Sequence, residues 1–224
     1  MKLVEEALKR GAKSLSEYES KQLLAEYGIM VTKEAVATTE EEVVATALKI
    51  GYPVVCKASG EEFAHKTESD LIELDIKDEA GARAAFRRLT SHPGIFVREV
   101  LVQQMIKGER ELVVGLMRDP QFGPCVMFGL GGIFTEILQD VTFRVAPLSR
   151  QDAMDMMNDI RAKKILDAFR GKPPVDREVL ADILIAVGRI GVEVDEVREI
   201  DINPLKILDG KPIVVDALVI LNKS

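Results

Sequence analysis

The C-terminal segment EIDINPLKILDGKPIVVDALVIL concentrates residues able to do chemistry. Two strand patterns flank Asp209-Gly210, a pair that favours a two-residue hairpin turn because both of its residues must take positive φ. Such a turn fixes the register. With Leu208 opposite Lys211, Asn203 falls opposite Asp216, and facing side chains lie about 5 Å apart on one face. Asp201, two residues before Asn203, projects from that same face. Carboxylate and amide oxygens so placed suit a hard cation such as Mg²⁺, which keeps several waters and also takes phosphate oxygens. The spacing equally suits the solvated polar face of an edge strand, where Pro204 would be tolerated.

Other groups carry weaker signals. GLGGIF (residues 129–134) follows an apolar strand, so backbone N–H groups at Gly131 and Gly132 could approach an anion. It is neither a Rossmann fingerprint nor a P-loop, and a plain tight turn explains it as well. Lys57 ends PVVCK, where an ammonium could meet phosphate, although a snorkelling surface lysine is the simpler reading. Arg144, inside TFRVAP, suits either a phosphate contact or an ordinary ion pair. His92 in Ser-His-Pro-Gly reads as a turn residue, whereas His65 sits in the polar loop EEFAHKTESD. A loop histidine is commonly just solvated, but that is also where phosphoryl acceptors and bases are placed.

These groups need elements to hold them. Ser16-x-x-Glu19 and Thr39-x-x-Glu42 are capping boxes that open helices ending at Gly28 and Gly51. Strand patterns occupy residues 29–36, 53–58, 71–76 and 95–106, with a helix over 79–90, completing an α/β lobe. Successive β-like segments follow (ELVVGLM, PCVMFGL, FTEILQ, TFRVAPL), then helical stretches over 150–169 and 176–192, then the hairpin. The expected division is therefore an N-terminal lobe over 1–107, with the helical N-terminus and the histidine loop, and a C-terminal lobe over 108–224.

Composition narrows the class. The chain has 224 residues, 47% hydrophobic and 30% charged, with a net charge of −7. That describes an ordinary globular protein and argues against broad nucleic-acid or membrane-surface binding, which need a basic field. Cys56 and Cys125 lie in apolar runs and read as buried thiols of a reducing compartment. The first residues lack an apolar signal core, so a cytoplasmic location is expected.

The motifs together are more specific than any one of them. SLSEYESKQLLAEYGI, YPVVCK, AHKTE, DPQFGPCVMFGLGGIFTEILQDVTFRVAPLS and EIDINPL occur in that order. They resemble the β subunits of nucleoside-diphosphate-forming acyl-CoA synthetases (acetate–CoA ligase, ADP-forming), from about Ser14 to Leu221. The resemblance implies an ATP-grasp fold, α/β (α+β), of two lobes with nucleotide bound between them. It implies that acyl-CoA, ADP and phosphate give acid, ATP and CoA. A phosphohistidine would relay the phosphoryl group, and a CoA-binding α subunit would complete an α2β2 heterotetramer.

Residue by residue, the resemblance makes His65 the phosphoryl carrier and Lys57 a contact to nucleotide phosphates. The backbone over Gln103, Gln104, Met105 and Ile106 would meet the adenine, and Glu111 the ribose. Gly131, Gly132 and Arg144 would face the transferred phosphoryl group, and Asn203 and Asp216, with Asp201 beside them, would be Mg²⁺ ligands. Where the family usually continues HK-[ST]-[DE]-VGGV, this chain has KTE followed by Ser69-Asp70-Leu71-Ile72. Two other readings stay open: an ATP-grasp carboxylate–amine ligase that needs no histidine, and a nucleotide-binding interaction subunit without catalysis.

Overall fold

The computed structural model describes residues 2–60, 71–93, 95–108, 110–132 and 140–222. The chain divides into two compact units: Ser16–Glu19 with Thr32–Ile106, and Met1–Leu15 with Ser20–Val31 and Lys107–Ser224. The expected division put the whole N-terminus in the first lobe, whereas residues 1–15 and 20–31 fall in the second unit. Helix α1 (Lys2–Lys9) and most of α2 (Glu17–Glu26) belong to the larger unit, because Val4, Ala7, Leu15, Leu23, Leu24 and Ile29 join its hydrophobic core.

Local chemistry sets the helix ends. The Ser16 hydroxyl accepts from the Glu19 N–H at 3.2 Å and the Glu19 carboxylate accepts from the Ser16 N–H at 3.0 Å. This reciprocal cap, worth about 1 kcal/mol, starts α2, and Gly28 at φ 82° stops it.

The smaller unit runs β1 (Glu34–Ala37), α3 (Glu40–Ile50), β2 (Val54–Ser59), β3 (Ile72–Ile76), α4 (Glu79–Thr90) and β4 (Glu99–Gln104). Its sheet order is β1-β4-β2-β3, antiparallel at each pairing. The buried faces of α3 and α4, including Val43, Ala47, Ala82, Ala85 and Leu89, cover Val54, Cys56, Val100 and Val102. Burial pushes the Cys56 thiol up to about 12, the state of an inert core cysteine.

The larger unit continues with β5 (Glu111–Asp119), β6 (Gly123–Leu130), β7 (Val141–Val145), α5 (Arg150–Asp159), a 3₁₀ turn (Lys163–Leu166), α6 (Arg177–Glu193), β8 (Val197–Leu208), β9 (Lys211–Val214) and β10 (Ala217–Leu221). Its sheet runs β10-β8-β5-β6-β7, with β9 also on β8, and every pairing is antiparallel. The helix expected over 150–169 stops at Asp159. The buried carboxylate of Asp140 accepts from the N–H groups of Arg161 and Ala162 at 2.7 and 2.8 Å, which turns the chain there. The expected strand FTEILQ lies outside the described residues.

Period-two alternation splits the large sheet into two faces. Leu112, Val114, Leu116, Val126, Phe128, Ile200, Ile202, Ala217 and Val219 enter one core with α6. Their neighbours in sequence, Gly115, Met117, Met127, Asp201 and Leu218, take the opposite face by the same ladders, as does Phe143 opposite Met127. Among the described residues no helix is long and apolar enough to cross a membrane.

Candidate functional site

The hairpin register follows the Asp209-Gly210 turn. Leu208 pairs with Lys211 and Leu205 with Val214. Beyond the cis Asn203-Pro204 bond the same register resumes on β10, with Ile202 opposite Ala217 and Asp201 opposite Leu218. Between these runs the Asn203 N–H donates to the Asp216 carbonyl at 3.2 Å, which sets the two residues facing each other. Since Ile202 and Ala217 point into the core, Asn203, Asp216 and Asp201 lie on the open face. Gly115, opposite Asp201 on β5, offers no side chain there, and a depression of about 300 Å³ lies beside Asp201, bordered by Gly115, Met127 and Leu218.

Electrostatics mark this cluster. Desolvation, and then the charge of Asp216, raise the Asp201 carboxyl above the usual carboxylate range. Part of Asp201 still meets solvent, which moderates the first cause and leaves two like charges close together on one face. Hard oxygen donors with surplus negative charge are what a Mg²⁺ ion requires. Among the described residues no three His, Cys, Asp or Glu side chains form a metal-holding group by themselves. A cation on Asp201, Asn203 and Asp216 would take its remaining oxygens from water or phosphate, as Mg²⁺ commonly does. The residues fit the ion.

Glu111 opens β5 on the same face, opposite Lys206 on β8, and the two form an ion pair at 3.1 Å. The glycine loop packs on this corner. The Gly131 N–H donates to the Glu111 carbonyl at 2.9 Å, and a Cβ on Gly131 would stand 2.7 Å from the Leu112 carbonyl oxygen. Gly132 has φ +66°, and a Cβ there would lie 2.6 Å from the Glu111 carboxylate. The loop is therefore more than a generic turn: glycine lets it lie against the start of β5 and beside the Glu111 side chain.

Arg144 is not brought to this corner. It pairs across the ladder with Val126, a core residue, so it shares the helix-covered face, where its guanidinium binds Asp159 of α5 at 2.5 Å. Of the two readings the residues left open, the structure displays the ion pair.

In the smaller unit Lys57 is 8% exposed and its ammonium meets Glu17 at 2.7 Å, so it does not snorkel at the surface. Gln103 is buried in β4, opposite Val55 and Glu34. Gln104 ends the strand, its N–H donating to the Lys33 carbonyl at 2.8 Å. Met105 and Ile106 follow beyond the ladder, the Met105 N–H reaching the Pro53 carbonyl at 3.4 Å. His65 lies outside the described residues.

Comparison with known proteins decides the family. A model of the ATP-grasp domain matches residues 6–221. A Pyrococcus furiosus protein named acetate–CoA ligase [ADP-forming] I subunit beta is 44% identical over 221 residues, covering 96% of this chain and 95% of that one. The chain belongs to the ATP-grasp family of ADP-forming acetate–CoA ligase β subunits.

Solved structures agree with this ATP-grasp assignment. A dinucleotide-forming acetyl-coenzyme A synthetase 1 of Ca. Korarchaeum cryptofilum, in complex with coenzyme A, Ca-AMPCP and HgCl⁺, matches with a TM-score of 0.93 at 43% identity, over 99% of each chain. The same enzyme with coenzyme A and Mg-AMPPCP, its phosphohistidine segment pointing towards the nucleotide binding site, matches with a TM-score of 0.88, again at 43% identity over 99% of each chain.

Sequence reasoning missed Glu17, Lys21 and Lys206, which hold Lys57, the Val215 carbonyl and Glu111 respectively. For Lys206 alternation counted from Asn203 gives the opposite face, and the register shift between Ile202 and Leu205 is what turns it beside Glu111. Glu17 and Lys21 needed the tertiary fold.

Proposed function

We propose that this chain is the nucleotide-binding β subunit of an ADP-forming acyl-CoA synthetase, acting on acetyl-CoA or a close analogue. The observation that carries the reading is the shared open face of Asp201, Asn203 and Asp216, fixed by the hairpin register. The end-to-end likeness to a named β subunit supports it.

Asn203 and Asp216, with Asp201 adjacent, would hold Mg²⁺ through oxygen atoms. When bound there, the ion neutralises charge spread over the transferring phosphoryl oxygens. Glu111, steadied by Lys206, would accept from the ribose hydroxyls, and the Gly131-Gly132 loop, whose Gly131 N–H is taken by the Glu111 carbonyl, would face phosphate oxygens. In the smaller unit, Lys57 would contact phosphate and the main chain over 103–106 the adenine edge. The carrier would be His65: its N–P bond breaks as a terminal oxygen of ADP forms the new P–O bond. Thioester chemistry is thereby separated from nucleotide chemistry and assigned to a CoA-binding α subunit in an α2β2 assembly in the cytoplasm. Arg144 has its partner in Asp159 and receives no role in the transfer.

Reconstitution tests this division of labour. The purified chain alone, given Mg-ADP, acetyl-CoA and phosphate, is expected to bind nucleotide and make no ATP, whereas addition of the CoA-binding subunit starts ATP formation. ATP formation from acetyl-CoA by the chain alone would contradict the reading, and acid-plus-amine ligation without a partner would favour a carboxylate–amine ligase.

A further inference from the structure

Lys21 occupies a position on α2 where a hydrophobic residue would be expected. Its neighbours Leu23 and Leu24 are fully buried, and Lys21 itself is 1% exposed. An ammonium withdrawn from water is costly unless its protons are satisfied, and a methionine would fill the same space without that cost. One of its bonds reaches the strand link that carries Asp216. The Lys21 ammonium donates to the carbonyl oxygen of Val215 at 3.1 Å.

Val215 and Asp216 form the two-residue link between β9 and β10. Main-chain bonds also hold this link: the Val215 N–H donates to the Pro204 carbonyl at 3.1 Å, and the Asp216 carbonyl accepts from the Asn203 N–H at 3.2 Å. One turn of α2 supplies a second tie, the Ser20 hydroxyl accepting from the Val219 N–H at 3.1 Å. The peptide plane between Val215 and Asp216 carries the Val215 carbonyl on one side and the Asp216 N–H on the other, so pinning that carbonyl orients the residue that follows.

We infer that Lys21 is a positioning residue for Asp216, holding the link so that the Asp216 carboxylate faces Asn203 ready to receive a cation. The inference rests on the reading of Asp201, Asn203 and Asp216 as the cation site. It assigns to α2 a share in holding the cation site.

Two substitutions separate the hydrogen bond from bulk and charge. Lys21→Met keeps the volume and removes the donor; Lys21→Gln restores a donor, one bond shorter, without charge. The readout on the full chain is ADP affinity by calorimetry with and without Mg²⁺, beside a thermal melt. The Met variant is expected to stay folded, to bind Mg²⁺-free ADP as the parent chain does, and to lose about tenfold of the Mg²⁺-dependent gain, the size of effect seen when groups that orient metal ligands are removed. The Gln variant should recover a substantial part of that gain.

An unchanged or enlarged Mg²⁺ gain in the Met variant, or equal losses with and without Mg²⁺, would overturn the inference. So would identical losses in the Met and Gln variants, which would mean that charge, not the donor, matters. Asp216→Asn is the control: if it too leaves the Mg²⁺ gain intact, the cation-site reading itself falls and the inference with it, whereas a loss there beside a normal Lys21→Met overturns the inference alone.

Discussion

Replacing Asp216 with alanine is expected to lower Mg²⁺-dependent phosphoryl transfer on the order of 10³-fold, about 4 kcal/mol of transition-state stabilisation, with little change in fold. The size follows from what Asp216 does. It is the carboxylate that the hairpin register sets opposite Asn203, and its charge is the specific influence acting on Asp201. Removing it leaves Asn203 and Asp201 as the remaining ligands of the site, too few anchors for an ion that also has to be shared with phosphate. The alanine leaves the main-chain bond from Asn203 to residue 216 in place and relieves a like-charge pair. Phosphoryl transfer is read by ATP formation with the partner subunit present, and folding by thermal melting. A variant that keeps full Mg²⁺-dependent rates would show that the open face does not hold the ion.

Gly131→Ala should act on the fold and the site together. The added Cβ would stand 2.7 to 2.9 Å from the carbonyl groups of Leu112 and Glu111, main-chain atoms at the start of β5 that cannot turn aside as a side chain could. The loop has to lift off β5, breaking the Gly131 N–H bond to the Glu111 carbonyl. Overpacking of this kind costs roughly 1–3 kcal/mol, which in a chain of this length lowers Tm by about 2–12 °C. Nucleotide affinity should fall with it, since Glu111 and the loop N–H groups move apart. Gly11→Ala is the internal comparison: Gly11 has φ +77° but nothing within 4 Å of its Cβ, so it isolates backbone strain from collision and should cost about 1 kcal/mol with no effect on nucleotide. Equal effects of the two would refute the packing argument.

How much of this was legible in the sequence depends on whether the deciding interaction is local. The hairpin was readable because Asp209-Gly210 selects a two-residue turn and the turn fixes every facing pair, so the polar face followed by counting. Helices α2, α3 and α4 were readable because their caps lie within four residues of what they cap. The other departures share one cause. Lys57 looked like a surface lysine because its partner, Glu17, is forty residues away. The helix expected over 150–169 was cut short by Asp140, which precedes it in the chain and takes two N–H groups where the helix would have continued. Assigning the N-terminal helices to the first lobe failed for the same reason: their apolar faces match the core under α6, a fact of tertiary packing. Arg144 shows a subtler limit. Alternation along TFRVAP fixes that Arg144 and Phe143 oppose each other, but only the pairing of Arg144 with Val126 shows which of the two faces the core side.

Passage of phosphoryl through His65 is measured by incubating the chain with Mg-ATP, with and without the CoA-binding subunit, and mapping acid-labile phosphate by mass spectrometry under alkaline conditions. Phosphate is expected on His65 and is expected to be absent in Asp216→Ala and in His65→Asn. Nucleotide bound tightly while His65 stays unmodified, with a competent partner present, would contradict passage through His65.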